Sequence, residues 1–152
     1  MTIKATKTTG RYTVQLIREG SVSYEEAHQI TNPEDVAGFL RKINLDKNPQ
    51  EIVMVLYLDT KNKVIGYEEI SRGSLNSGIV EIASVFRGAI LACANSVIFA
   101  HNHPSGSAKP SADDVHATNK ISEAGKLIGI KLLDSLVLGD TVYSFRQEGL
   151  LN

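Results

Sequence analysis

Two histidines separated by one residue follow an apolar run in the middle of the chain. A loop rich in Pro, Gly and Ser leads from His101 and His103 to a helix start of the form Ser-x-x-Asp at 111–114. Side chains at i and i+2 of an extended segment point to the same side, so both imidazoles can reach one ion. A carboxylate from the first helical turn, Asp113 or Asp114, would complete the ligand set of a catalytic zinc with one position open for water. The spacing therefore predicts a metal site that activates water and polarises a carbonyl.

The acidic helix start also has a simpler interpretation. Ser111 and Asp114 match a capping box, in which each side chain accepts a hydrogen bond from the backbone N–H of the other residue. An isolated His-x-His pattern is common by chance as well. The two features fall within fourteen residues directly after a strand, and this conjunction favours the metal site.

Counting residues excludes other zinc layouts. The chain has one cysteine and four histidines, which are His28, His101, His103 and His116. A dinuclear His-x-His-x-Asp-His site needs Asp and His directly after Pro104, where the chain has Ser105 and Gly106. A barrel-type amidohydrolase needs more length and more histidines, and the zinc deaminases need a Pro-Cys-x-x-Cys pair. A site with two histidines and one aspartate is compatible with these counts.

Three polar neighbours of the site have ordinary interpretations. His116 lies two residues past Asp114, about 200° around a helix, which predicts a surface position. Asn102 points away from the face of the two histidines, and Lys109 keeps the loop solvated.

The elements that must position these residues alternate between strand and helix. Periodicity and turn residues predict, in order, a helix at 33–43, a buried strand at 51–59 in a hairpin with 64–71, a helix at 79–94, a strand at 96–100, a helix between 111 and 129, and a hairpin of 130–138 with 141–145. The predicted fold class is α/β, with a mixed sheet that contains antiparallel hairpins and has helices on both faces.

Domain organisation follows from the polar start of the chain. We predict a polar tail at 1–10, an N-terminal arm at 11–31 and one domain at 32–152. The alternating residues 12–17 predict a short hairpin with 22–24 that packs on the domain or on a second subunit, so a dimer is compatible with the sequence. The lone Cys93 lies in an apolar helical pattern and is expected to be buried.

Composition adds few constraints on partners. The 152 residues carry a formal net charge of −1 without a long basic run, so DNA association has no support from charge. The sequence has no apolar run of about 18 residues, the length needed to span a membrane, and no signal peptide at its start, so a cytoplasmic protein without membrane contact is expected.

The motif His101-x-His103-x7-Ser111-x2-Asp114 resembles the metal motif of the JAB/MPN family of zinc metalloproteases, known as the JAMM motif. The run His-Asn-His-Pro-Ser-Gly at 101–106 is similar to that of the bacterial RadC proteins. Gly-Ser-Leu-Asn-Ser at 73–77 and Leu-Leu-Asp at 132–134 extend the resemblance, which covers the chain from about residue 32 onward.

The resemblance implies a three-layer fold like that of cytidine deaminases, and it implies roles for five residues. His101, His103 and Asp114 would bind Zn²⁺, and Ser111 would stabilise the tetrahedral intermediate. The family places a catalytic glutamate just before an apolar strand, which corresponds to Glu51. A carboxylate there can reach the end of the sheet that carries the motif, as a general base must. The competing acids are Glu68, Glu69 and Glu81.

The resulting hypothesis is a zinc metallopeptidase or isopeptidase that acts on a peptide or protein. One alternative is a binding module of DNA repair or of mobile elements with a structural metal. Another is a metal-dependent nuclease, although one ion with two histidines and one aspartate suits acyl transfer better than two-metal phosphodiester chemistry.

Overall fold

The computed structural model describes residues 10–21, 29–73 and 80–151, and it has the predicted α/β architecture. Its elements in chain order are α1 (Pro33–Lys42), β1 (Ile52–Leu58), β2 (Val64–Arg72), α2 (Ile82–Leu91), β3 (Ser96–Asn102), α3 (Ala112–Ile128), β4 (Lys131–Leu138) and β5 (Val142–Ser144). Each predicted helix and strand of the domain is present, with boundaries shifted by a few residues.

The five strands form one mixed sheet in the order β2-β1-β3-β4-β5. The hairpins β1–β2 and β4–β5 are antiparallel, as predicted, and β1 also pairs antiparallel with β3. Strands β3 and β4 are parallel because α3 forms the crossover between them. Because β1 and β3 run antiparallel, the start of β1 and the end of β3 lie at the same end of the sheet.

Helices cover both faces of the sheet, which confirms the predicted layers. Strands β1 and β3 are buried along their whole length, as expected for strands packed on both sides. One core contains the buried side chains of α1, among them Val36 and Leu40, with alternate residues of β1, β3 and β4. The other core contains Phe86 of α2 and Ile121 of α3 with apolar residues from the opposite face of those strands. His101 follows Val97 and Phe99 on the second face, the face on which α3 packs.

Two expectations from the sequence differ from the structure, and part of one lies outside the described residues. Cys93 is exposed, so its predicted burial is wrong: α2 ends at Leu91, and Cys93 then adopts a left-handed conformation with φ 52° that turns its side chain out of the helical pattern. The predicted strand at 12–17 is wrong: residues 10–21 are all exposed and lie in neither helix nor strand, so their alternating apolar side chains have no face to pack on. The second half of the predicted hairpin, 22–24, falls outside the described residues.

Among the helices in the described ranges, none is both long and apolar enough to cross a membrane.

Candidate metal centre

Four potential ligand side chains meet where the start of β1, the end of β3 and the start of α3 converge. They belong to Glu51, His101, His103 and Asp114, and one ligand atom from each lies within 4.8 Å of the others. The structure thus brings together the three residues predicted to bind metal and the predicted general base.

The two histidines lie on either side of the last residue of β3, and both side chains reach the point of convergence. His101 pairs with Val53 across β1–β3 and is almost fully buried, with 1% of its surface exposed. His103 lies just beyond β3, and its backbone N–H donates to Leu138 O at 2.8 Å, which keeps it beside β4. The two Nε2 atoms are 3.1 Å apart. The i, i+2 spacing therefore places both imidazoles on one side, as predicted.

The hydrogen bond of His103 fits a metal site. His103 Nδ1 lies 2.8 Å from Ser107 O, and because a carbonyl can only accept, Nδ1 carries a proton, so that in the neutral imidazole Nε2 presents its lone pair to the centre. His101 Nδ1 is buried and has no hydrogen-bond partner among the described residues. Nε2 of His103 and two carboxylates thus converge beside His101 Nε2, and such a donor set could hold a cation. Two nitrogens and carboxylate oxygen are ligands that zinc prefers.

Asp114 both approaches the histidines and forms the capping box at the start of α3. Its Oδ1 lies 3.2 Å from His101 Nε2 and its Oδ2 lies 3.5 Å from His103 Nε2. Asp114 Oδ2 also accepts the Ser111 N–H at 2.7 Å, and Ser111 Oγ accepts the Asp114 N–H at 3.1 Å. Burial disfavours the charged form of Asp114, but His101 and Ser111 outweigh burial and lower the pKa of Asp114 to about 2. The capping box therefore orients an ionised carboxylate toward the histidines.

Glu51 approaches the same centre from the residue before β1. Its Oε1 lies 4.0 Å from His101 Nε2, and 19% of its side chain remains exposed. The competing acids lie elsewhere: Glu68 accepts from the Tyr57 hydroxyl, and Glu69 binds Arg72. Glu81 precedes α2 and accepts from Ser84. Glu51 is thus the acid from this set that lies beside the histidines.

The remaining predicted residues surround this group. Asp113 and His116 are exposed and lie outside it, as does Lys109. Ser111 is exposed at the cap, where its hydroxyl oxygen accepts from the Asp114 N–H and its own proton remains to donate. Of the sequence that extends the family resemblance, 74–77 lies outside the described residues.

A cavity of about 300 Å³ opens beside His103. Charged side chains from α1, from the segment that follows it and from the β4–β5 turn line this cavity, among them Arg41, Asp46 and Asp140. Of the four residues of the group, His103 alone lines this cavity.

Close backbone packing fixes the loop that follows the histidines. Gly106 has φ 82°, and its carbonyl accepts the Asp140 N–H at 2.7 Å. Gly139 packs so closely that an added Cβ would collide with Gly106 O and lie 2.8 Å from Ala108 N. The β4–β5 turn thus holds the loop that orients His103.

Gly139→Ala is expected to displace this loop and weaken zinc binding by about 10-fold, the size of effect seen when residues that orient metal ligands are changed. Isothermal titration of the metal-free protein with zinc measures the change. Gly20→Ala is the matched control, because an added Cβ there meets nothing within 4 Å. Equal zinc affinity in both variants would show that the loop does not orient His103.

Sequence reasoning missed the part played by Asn102. Its side chain is buried, and it hydrogen-bonds the segment that carries Glu51 rather than solvent. One sequence feature could have revealed this part: Asn102 lies between two predicted ligands at the end of an apolar strand. A polar side chain buried there needs a specific hydrogen-bond partner.

Comparison with known proteins identifies the family that the sequence motif resembles. The family model described as a RadC-like JAB domain matches residues 30–150. A UPF0758 protein of Clostridium perfringens is 41% identical over 90% of this chain and 60% of its own length. Relatives from Methanosarcina acetivorans and Rubrobacter xylanophilus are 42% and 44% identical over 82% and 80% of this chain, and over 55% and 53% of their own lengths. The chain thus spans little more than half the length of these relatives.

Proposed function

Because the chain belongs to the RadC-like JAB domain family, we propose that it is a zinc-dependent hydrolase that cleaves an amide or isopeptide bond. The observation that carries the proposal is the convergence of Glu51, His101, His103 and Asp114 within 4.8 Å. His101, His103 and Asp114 would hold the ion, and Glu51 would act as the general base. When bound there, zinc would supply an activated water and polarise the scissile carbonyl.

The protein side chains have separate tasks in this mechanism. Glu51 accepts the proton of the attacking water and returns it to the leaving amine, which couples bond formation to bond cleavage. Ser111 O–H donates to the oxygen of the scissile carbonyl as negative charge develops there. His103 is held by Ser107 O, and the helix cap holds Asp114, so neither has to reorganise during the reaction. The cavity beside His103 is the proposed site for the substrate chain.

Glu51 favours this proposal over a binding module with a structural metal. A purely structural zinc site needs no general base, whereas the Glu51 side chain stands 4.0 Å from His101 Nε2 and remains 19% exposed, as suits a base that takes a proton from water. A nuclease has less support, because the group contains two imidazoles and two carboxylates rather than the acid-rich pair of sites of two-metal enzymes. The net charge of −1 also provides no general attraction for DNA.

Removal of metal tests the proposal. The protein is dialysed against a chelator, reloaded with zinc and incubated with a peptide library and, separately, with single- and double-stranded DNA. We expect peptide cleavage that disappears with the metal and returns with zinc. Cleavage that survives chelation, or zinc-dependent cleavage of DNA alone, would contradict the proposal.

A further inference from the structure

Asn102 connects the two histidines to the segment that carries Glu51. It lies between His101 and His103 in sequence, is 1% exposed, and points away from the centre. Its Oδ1 accepts the Ile52 N–H at 2.7 Å, and its Nδ2 donates to Gln50 O at 3.0 Å and to Asn48 O at 3.2 Å. The side chain thus binds backbone groups on both sides of Glu51.

These bonds specify an amide at position 102. An Asn side chain offers two N–H donors and one carbonyl acceptor, and here two carbonyls face the donors while one N–H faces the acceptor. A carboxylate in this place would face two carbonyl oxygens without a proton to share. A hydroxyl could not satisfy three separate backbone groups. The geometry therefore excludes an equivalent replacement by Asp or Ser.

The hydrogen bonds of the Asn102 side chain replace main-chain pairing at the point where β1 and β3 separate. The β1–β3 ladder reaches its end at the pair Val53 and His101, after which the chain after β3 follows β4 through the bond from His103 N–H to Leu138 O. On the other side of β1, Gly73 N–H donates to Glu51 O at 2.8 Å. The backbone of Glu51 is therefore held by the residue after β2 on one side, and its two sequence neighbours are held by the Asn102 amide on the other.

We infer that Asn102 is a positioning residue, whose amide holds the backbone around Glu51 so that its carboxylate stays beside the two histidines. This inference rests on the proposed function for its catalytic consequence, but the placement of Glu51 can be measured without any activity. The end of β3 would then position both histidines and Glu51, since His101, Asn102 and His103 are consecutive.

The test compares Asn102→Ala and Asn102→Asp with Asn48→Ala in the full chain. Asn48→Ala is the control, because it removes only the bond from Gln50 N–H to Asn48 Oδ1 and leaves the backbone bonds to Asn102 intact. The first readout is amide hydrogen exchange by NMR. We expect Ile52 to exchange at least about 10-fold faster in Asn102→Ala, which removes its acceptor. In Asn102→Asp we expect faster exchange than in the control, because the carbonyls of Asn48 and Gln50 repel the carboxylate. Val55 inside β1 should be unchanged in both, as for local rather than global opening.

The second readout is a double-mutant cycle with Glu51→Gln on a zinc-dependent peptide substrate. In the wild-type background we expect Asn102→Ala to lower kcat by about 10- to 100-fold at unchanged KM and unchanged zinc affinity. In the Glu51→Gln background the same change should have less than about a 2-fold effect, because the group that it positions is already inactive.

Three results would overturn the inference: equal losses in both backgrounds, a parallel loss of zinc affinity, or Ile52 exchange that matches the control variant. Should wild type cleave no peptide, the proposed function fails and the inference is decided by the exchange rates and by a crystal structure of Asn102→Ala. We expect the separation of Glu51 Oε1 from His101 Nε2 to grow beyond its wild-type 4.0 Å there. An unchanged separation would refute the positioning role.

Discussion

Glu51→Gln is expected to bind zinc as wild type does and to lose between about 10²- and 10⁴-fold in kcat, the contribution typical of a general base. The amide keeps the size and hydrogen-bonding reach of the carboxylate, but it cannot accept a proton from water at neutral pH. The measurement is steady-state cleavage of a peptide identified in the library experiment, with zinc content determined on the same preparation.

Glu81→Gln is the matched control for this change. Glu81 is exposed before α2 and lies outside the four-residue group. It should keep both zinc and full activity. If Glu51→Gln retained activity within about twofold of wild type, Glu51 would not be the general base, because even a weak base contributes more than that.

Asp114→Ala is expected to weaken zinc binding by more than about 100-fold, since losing a direct ligand exceeds the cost of losing a residue that orients one. The change also leaves the Ser111 N–H without its acceptor at the start of α3. Zinc titration of the metal-free protein measures the affinity. Thermal unfolding with and without zinc provides a second measurement, because a bound ligand raises Tm by an amount that grows with the logarithm of its affinity.

Two controls separate the metal ligand from the helix cap. Ser111→Ala removes the hydroxyl that accepts from the Asp114 N–H and should cost about 1 kcal/mol of unfolding free energy, with zinc still bound. Asp113→Ala changes the adjacent exposed acid and should alter neither property. A zinc-induced rise in Tm that persisted in Asp114→Ala would show that its carboxylate acts only as a cap.

The histidine pair and the helix start were predictable because both depend on local periodicity. Strand alternation places His101 and His103 on one side, and the Ser-x-x-Asp pattern fixes where α3 begins. The Asp114 carboxylate both closes the capping box and approaches the histidines. The sequence offered a helix cap and a metal site as alternatives, and one carboxylate is placed for both. The layers of the sheet followed from the same patterns, since strands buried on both faces need helices on both faces.

Other features depend on contacts between distant residues. Glu51 stands beside His101 because β1 and β3 pair antiparallel with Val53 opposite His101, a register that no local pattern specifies. The hydrogen bonds of Asn102 span some fifty residues and depend on the same register. The exposure of Cys93 depends on where α2 stops, and helix ends are less well determined by periodicity than helix interiors.

The central claim is that His101, His103 and Asp114 hold one zinc ion. Its most direct test is elemental analysis of the purified protein after zinc loading and removal of free metal, on wild type, His103→Ala and His116→Ala. His116 is an exposed histidine outside the group and serves as the control. We predict about one zinc per chain in wild type and His116→Ala, and almost none in His103→Ala, because two ligands hold zinc weakly. Absence of zinc from wild type, or equal zinc in all three proteins, would contradict the claim.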